Sequence, residues 1–256
     1  MSAPDDRFYH PRITQRVDLS PTLWTIRLAV EVEFSFAAGQ YATLGVEDAD
    51  GKRWERPYSI ASSPHEREVE FFLELVPHGD LTPLLYKLKV GDPLLMRKAA
   101  KGRFTLDTTR DRSNHLLICT VTGVAPFVSF VRALSREGQN RRFAGEHKLF
   151  LLNGASRPWE FGYKEELSQF DRELDWFKYV ATVSRPWDHG DWPGEIGRAD
   201  DILRKYADHW ELDPTNTLAY LCGHPEMIEH SKAILKRRGF TDKNAIKEEI
   251  YWVPAK

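Results

Sequence analysis

The sequence predicts two domains in series, an antiparallel β-barrel followed by an α/β domain built on a doubly wound parallel sheet of five strands. Two observations predict it. From Leu23 to about Lys98 the apolar residues mostly alternate with polar ones, the period of a strand with one buried face. After about residue 112 they come in continuous runs of strand length, each followed by helical spacing, the pattern of strands buried on both faces and joined by crossover helices. The switch falls near 108 to 114 and divides the chain into 1–110 and 111–256. A chain of 256 residues has room for two domains of ordinary size.

In the first half, "LWTIRLAVE" carries Trp24, Ile26, Leu28 and Val30 on one face, and "VEFFLELV" sets Val69, Phe71, Leu73 and Leu75 against Glu70 and Glu74. Turn signals separate the strands at Gly39, "DADGK" 48–52, "PHGD" 77–80 and "GDP" 91–93, and "LTPLLYKLK" is a short helix. Many short strands without a long helix make a small barrel. In the second half "LLICTV", "KLFLLN", "FKYVATV" and "TLAYLC" are four buried strands, and "IKEEIYW" is a fifth. Phe127, Phe130, Val131 and Leu134 follow helical spacing, with Pro126 suited to the first turn and Gly138 to the stop; Met227, Ile228, Ser231 and Leu235 repeat it before Gly239.

Composition narrows the function. Hydrophobic residues make up 41% and charged ones 29% of a chain with net charge −2, which is globular and gives no basic stripe for nucleic acid; the pairs Arg141-Arg142 and Arg237-Arg238 read as solvated faces. The start "MSAPDDRFYH" lacks the basic and apolar regions of a signal peptide, and no apolar run reaches membrane-spanning length, so a soluble, cytoplasmic protein is expected. Only Cys119 and Cys222 are present, too few for a disulfide scaffold, a zinc finger or a four-cysteine cluster. No histidine pair has the HExxH spacing, and no metal site is expected.

In an open parallel sheet the ligand lies beyond the carboxyl ends of the strands. Those ends carry "TVTGVAPF" 120–127, "NGASR" 153–157, "SR" 184–185 and "CGHPE" 222–226. Gly123 sits where backbone must come close to something, ahead of a proline-started helix. Arg157, Arg185 and Arg198 read either as surface charges or, on three converging loops, as the site of a dinucleotide with an extra phosphate. No acidic residue immediately follows them to bind a bare ribose. Cys222 reads as a small core residue, and Gly223 after it permits a flat ring to lie against the strand end. In the first half, "RPYSIASSP" 56–64 reads either as a turn or as a charge, Arg56, beside a stacking ring, Tyr58.

The ordered set "RPYS" 56–59, "KGRF" 101–104, "TGVAPF" 122–127, "SR" 184–185, "GR" 197–198, "LCGHPEM" 221–227 and "EEIYW" 248–252 resembles the ferredoxin–NADP reductases, the bacterial ferredoxin or flavodoxin reductases above all, nearly end to end. The resemblance implies an FAD-binding barrel and an NADP-binding α/β domain with both ligands meeting in the cleft between. By it, Arg56 holds the FAD pyrophosphate, Tyr58 packs on the flavin ring, Ser59 lies by its reactive nitrogen, and Pro57 between them belongs to the cofactor-binding set. Flavin-contacting backbone is matched around Gly39, Gln40 and Tyr41, at Glu74, Leu75 and Val76, at Thr82, and in the segment of Gly102 and Arg103. Thr122, Gly123, Cys222 and Gly223 fall to the nicotinamide side, Ser184 joins the three arginines, and Glu249 is a terminal-strand acid near the ring. Tyr251 covers the other face of the flavin, and Trp252 the adenine. The chain departs from the family at Val121, where many relatives have glycine, and in the extra tail "VPAK".

The implied activity passes electrons between NADPH and ferredoxin and/or flavodoxin through FAD, with Ser59, Cys222, Glu249 and Tyr251 orienting groups. Lys98, Lys101 and Arg103 are candidates for docking an acidic carrier, and the chain is expected to act as a monomer. Two alternatives stand beside it: a reductase on the same scaffold serving free flavin, a ferric chelate or an oxygenase component, and a non-enzymatic ligand-binding relative.

Overall fold

A computed structural model describes residues 7–30, 34–48, 50–109, 111–136, 140, 143 and 145–251. Gly138, the Arg141-Arg142 pair, Trp252 and the tail 253–256 lie outside the described residues.

The alternating half folds into strands β1 (Phe8–Tyr9), β2 (Arg12–Asp18), β3 (Leu23–Ala29), β4 (Tyr41–Glu47), β5 (Arg53–Ser59), β6 (Glu68–Glu74) and β7 (Leu95–Arg97), with helix α1 (Thr82–Lys87) between the last two. They form a sheet of order β1-β7-β4-β5 and another of order β2-β3-β6, with antiparallel pairing throughout. Single bridges tie the sheets at both edges, Ile60 to Phe71 and Arg12 to Pro93. The result is a small barrel around Trp24, Ile26, Leu28, Leu44, Val69, Phe71, Leu73 and Met96.

The second half supplies β8 (Asn114–Thr120), β9 (Lys148–Ala155), β10 (Phe177–Val183), β11 (Glu195–Ile196), β12 (Thr217–Gly223) and β13 (Ile246–Ile250), all parallel, in the order β11-β10-β9-β8-β12-β13. The sheet has six strands, not the five expected: β11 is two residues long, too short to carry a hydrophobic period, and is fixed by pairing with Thr182 and Val183. Helices α2 (Ala125–Leu134) and α3 (Lys164–Glu173) cover one face, with Phe127, Val131 and Leu167 against Leu117 and Leu151. Helices α4 (Ala199–His209) and α5 (Pro225–Arg237) cover the other, with Leu203 and Ile228 against Leu116 and Leu152. The chain winds outward from β8 through β9, β10 and β11, then returns to place β12 on the other side of β8. The switch point, and the crevice it opens, therefore lies between β8 and β12.

One expectation fails at β6. Its polar face was expected to meet water, yet Phe72 and Glu70 are buried. Phe72 joins Leu23, Ala61 and Phe104 of the barrel in one apolar cluster with Phe127, Phe130 and Tyr163 of the parallel-sheet half. Glu70 accepts from Arg27 at 2.6 Å, from Arg132 at 2.8 Å and from the Tyr163 hydroxyl at 2.9 Å. A carboxylate with three donors can be buried between two layers.

Candidate active site

The barrel ends at β5 beside the switch point, and the two halves meet there. Ser59, the buried last residue of β5, donates its hydroxyl to Glu249 of β13 at 2.5 Å. The Tyr251 hydroxyl lies 3.3 Å from Ser59 Oγ and 3.3 Å from the Thr122 carbonyl. Parallel pairing puts Cys222 opposite both Cys119 of β8 and Glu249 of β13. The structure thus brings Ser59, Thr122, Cys222, Glu249 and Tyr251 into one cluster.

Burial sets its electrostatics. It raises the Glu249 carboxyl above the usual range, against the hydrogen bond from Ser59, which lowers it. The Cys222 thiol is pushed well up by burial, then by the Glu249 charge, and hydrogen-bonds to Tyr251. Such a thiol stays protonated and is no nucleophile. Burial also holds the Tyr251 phenol far above its ordinary value.

The turn after β8 is shaped by close approach to β12. A Cβ on Gly123 would lie 2.5 Å from the Cys222 carbonyl oxygen, so what the backbone approaches there is the end of β12. Gly223 has φ +124°, and the Thr120 hydroxyl that fills its Cβ position accepts from the His224 N–H at 2.9 Å. Val121 has φ +44°, in the left-handed region that β-branched residues avoid. Its side chain packs against two apolar clusters, which hold it there.

Along β5, Arg56 and Pro57 are exposed and Tyr58 is half-buried against the barrel core. Strand β5 is the last in its sheet, so its outer edge is free of sheet partners over these residues among the described strands. The Arg56 guanidinium donates to the Glu55 carbonyl at 2.8 Å and lies 3.6 Å from Asp80. Nearby, the Thr82 hydroxyl accepts from the Val76 N–H at 2.9 Å and donates to the Val76 carbonyl at 3.2 Å, fixing the segment after Glu74 and Leu75 to the start of α1. Gly102 has φ +111° and its Cβ position faces the Tyr41 ring at 3.1 Å; Arg103 next to it is exposed. A weakly held guanidinium, a ring with one side buried and a free strand edge fit an aromatic dinucleotide such as FAD.

The three arginines come together on neighbouring turns. The Ser184 N–H donates to the Ala155 carbonyl, the Arg185 N–H to the Ser156 carbonyl and the Gly197 N–H to the Val183 carbonyl, aligning the turns that hold Arg157, Arg185 and Arg198. No acid immediately follows any of them in the chain, but the fold sets acids beside two of them. Arg157 Nε donates to Asp188 at 2.8 Å, and Arg198 lies 3.3 Å from Asp200 and 3.5 Å from Glu226. These acids are legible two or three residues on from an arginine, except Glu226, which only the fold brings near.

Residues 11–106 match the family model of the oxidoreductase FAD-binding domain, and residues 117–233 that of the oxidoreductase NAD-binding domain. The chain is 31% identical to the ferredoxin–NADP reductase A of Sorangium cellulosum (strain So ce56), over 87% of this chain and 81% of that one. It belongs to the ferredoxin–NADP reductase family. A member from Neisseria gonorrhoeae, solved with bound FAD and NADP, superimposes with a TM-score of 0.83 at 25% identity, covering 97% of this chain and all of that one. A further relative is the reductase component of a phenol 2-monooxygenase from Pseudomonas sp. (strain CF600), 27% identical over 95% of this chain and 65% of that one. As a family member the chain is an oxidoreductase with an FAD-binding and a nicotinamide-dinucleotide-binding part. Among the described residues no helix is long and apolar enough to cross a membrane.

Proposed function

We propose that this chain moves electrons between NADPH and ferredoxin or flavodoxin, acting as a cytoplasmic monomer divided at residues 110 and 111. The observation that carries the reading is the hydroxyl chain from Tyr251 through Ser59 to Glu249, which joins the end of the barrel to the carboxyl ends of β8, β12 and β13. That is where a flavin on β5 and a nicotinamide in the switch-point crevice would meet. Bound FAD supplies the exchange between two-electron and one-electron chemistry.

The residues of the chain supply position and charge. Arg56 binds the pyrophosphate, and Tyr58 and Pro57 form one wall of the flavin cleft, with Gly102 and the Glu74 to Thr82 segment at its margin. Ser59 donates its hydroxyl to Glu249, and burial raises the affinity of that carboxyl for a proton. Tyr251 closes the crevice against water until nicotinamide displaces it. Thr122, Gly123, Cys222 and Gly223 form the crevice wall, and Ser184, Arg157, Arg185 and Arg198 receive the phosphorylated end of the coenzyme. Trp252, lying outside the described residues, follows Tyr251 and is assigned to the adenine of FAD.

The relative that serves a phenol monooxygenase supports a second reading, in which the acceptor is an oxygenase component. The test is purification for bound FAD, followed by NADPH oxidation with ferredoxin, flavodoxin and an oxygenase component in parallel. Stoichiometric FAD and turnover only with the first two are expected. A protein that binds no FAD ends both readings, and turnover with the oxygenase component alone selects the second.

A further inference from the structure

Strands β9 and β10 end in the same pentapeptide pattern. Ser156-Arg157-Pro158-Trp159-Glu160 and Ser184-Arg185-Pro186-Trp187-Asp188 share Ser-Arg-Pro-Trp and then an acid. Each opens a short 3-10 turn, at Pro158–Glu160 and at Pro186–His189. The copies lie side by side, the Arg185 N–H donating to the Ser156 carbonyl at 2.9 Å. Their acids behave differently. Glu160 closes its own turn, accepting from the backbone N–H of Ser156 at 2.8 Å and of Arg157 at 3.3 Å. Asp188 leaves its turn and takes Arg157 Nε from the neighbouring copy at 2.8 Å, with Glu160 a further 3.6 Å from that guanidinium. Arg185 is exposed and has no ion pair among the described residues.

We propose that Asp188 is a built-in competitor for the 2′-phosphate of the coenzyme and so sets the preference between phosphorylated and unphosphorylated nicotinamide dinucleotides. This rests on the reading of the three arginines as the phosphate site. Arg157 and Asp188 each keep 31% of their side-chain surface exposed, so their pair is weak and exchangeable. A phosphate carries nearly two charges and more acceptor atoms than one carboxylate, and displaces it from the guanidinium. The freed carboxylate stays on the adjoining turn, where it repels the phosphate but not a bare ribose, whose hydroxyl an acid accepts from readily. Arg185 supplies the uncompensated charge that draws phosphate in.

The experiment is calorimetric titration of the FAD-loaded protein with 2′-phospho-AMP and with AMP, neither of which reacts. Wild type is expected to prefer 2′-phospho-AMP. Asp188→Asn should bind it about three- to tenfold more tightly, the scale of one nearby charge acting on a phosphate through solvent, with AMP unchanged. In an Arg157→Ala background that gain should largely vanish, because the guanidinium for which Asp188 competes is gone; a gain retained in full there overturns the competitor role. Unchanged or weaker binding of 2′-phospho-AMP by Asp188→Asn, with wild type still preferring that ligand, overturns the proposal alone and makes Asp188 a support for Arg157. Equal binding of both ligands by wild type removes the phosphate-site reading and the proposal with it.

Discussion

Arg56 and His115 show how one side chain sets a measurable property. Among the described residues Arg56 is held by its neighbour's carbonyl and by an exposed ion pair with Asp80 at 3.6 Å, so its charge is available to a ligand. Arg56→Ala is expected to weaken FAD binding by about 1.5 to 3 kcal/mol, the range for hydrogen bonds to charged groups, read as the dissociation constant of FAD by fluorescence; unchanged affinity would place the pyrophosphate elsewhere. His115 is fully buried on β8, its Nε2 3.2 Å from His147 Nδ1 and its Nδ1 without a partner among the described residues. Burial, then the neighbouring His147, lowers its pKa to about 3, with Lys247 acting the same way and Asp107 opposing. The unfolded chain takes up this proton near pH 6.5 and the folded chain does not until about pH 3, so its contribution is intact above pH 6.5 and stability falls as pH drops through that window. By pH 3 the loss is on the order of 4 kcal/mol. His115→Phe should flatten the pH dependence of urea unfolding between pH 6 and pH 4 by about one proton; an unaltered slope would assign the acid sensitivity to other groups.

At the scale of the element, legibility followed the period of burial. The run "FKYVATV" is β10 to the residue, and Met227, Ile228, Ser231 and Leu235 are the buried stripe of α5, because each signal is local to its own strand or helix. Strand β11 has two residues and no period of its own, and β6 alternates on paper while both its faces are buried from Val69 to Leu73, because its polar face packs on a helix more than fifty residues away. The motif set located the cluster of Ser59, Thr122, Cys222, Glu249 and Tyr251; the pairing of Asp188 with Arg157 and of Glu226 with Arg198, and the left-handed backbone of Val121, depend on tertiary approach. The end of β13 carries its own prediction. The Tyr251 N–H continues the β12 pairing, donating to the Gly223 carbonyl at 3.4 Å, while its ring side fills the crevice. A coenzyme that must displace the ring binds with an affinity reduced by the fraction of open protein. Tyr251→Ser should therefore tighten NADP binding and slow turnover through product release, measured with one acceptor for both proteins. Unchanged nicotinamide affinity in this variant, with tightening in Trp252→Ser, would move the shielding role one residue along.

At the scale of the molecule, the two halves are held as one by the layer between β6 and helices α2 and α3. Phe72 meets Tyr163 edge to face at 5.6 Å, and Phe104 meets Phe130 at 6.4 Å, so apolar surface of both halves shares one core. Glu70 is the polar centre of that layer, and Arg132 links it to Glu166 at 2.7 Å and to the Ala61 carbonyl at 3.3 Å. Burial works against the charge on Arg132, but the hydrogen bond it donates to Glu166 and the charge of Glu70 outweigh it and raise its pKa. Replacing Glu70 by Ala would leave a buried guanidinium and a buried phenol short of an acceptor, which typically costs about 3 to 5 kcal/mol. Because Glu70 lies in the first half and Arg132 and Tyr163 in the second, the loss falls on the interface that fixes Ser59 against Glu249. Glu70→Ala is therefore expected to separate one unfolding transition into two and to slow hydride transfer from NADPH more than it weakens FAD binding. Glu70→Gln, whose carbonyl oxygen can still accept from Arg132 while its NH2 donates to the Tyr163 hydroxyl oxygen, should recover part of both. Calorimetric scans and single-turnover flavin reduction on the two variants measure this, and a single cooperative transition with normal flavin reduction in Glu70→Ala would show that apolar packing alone orients the halves.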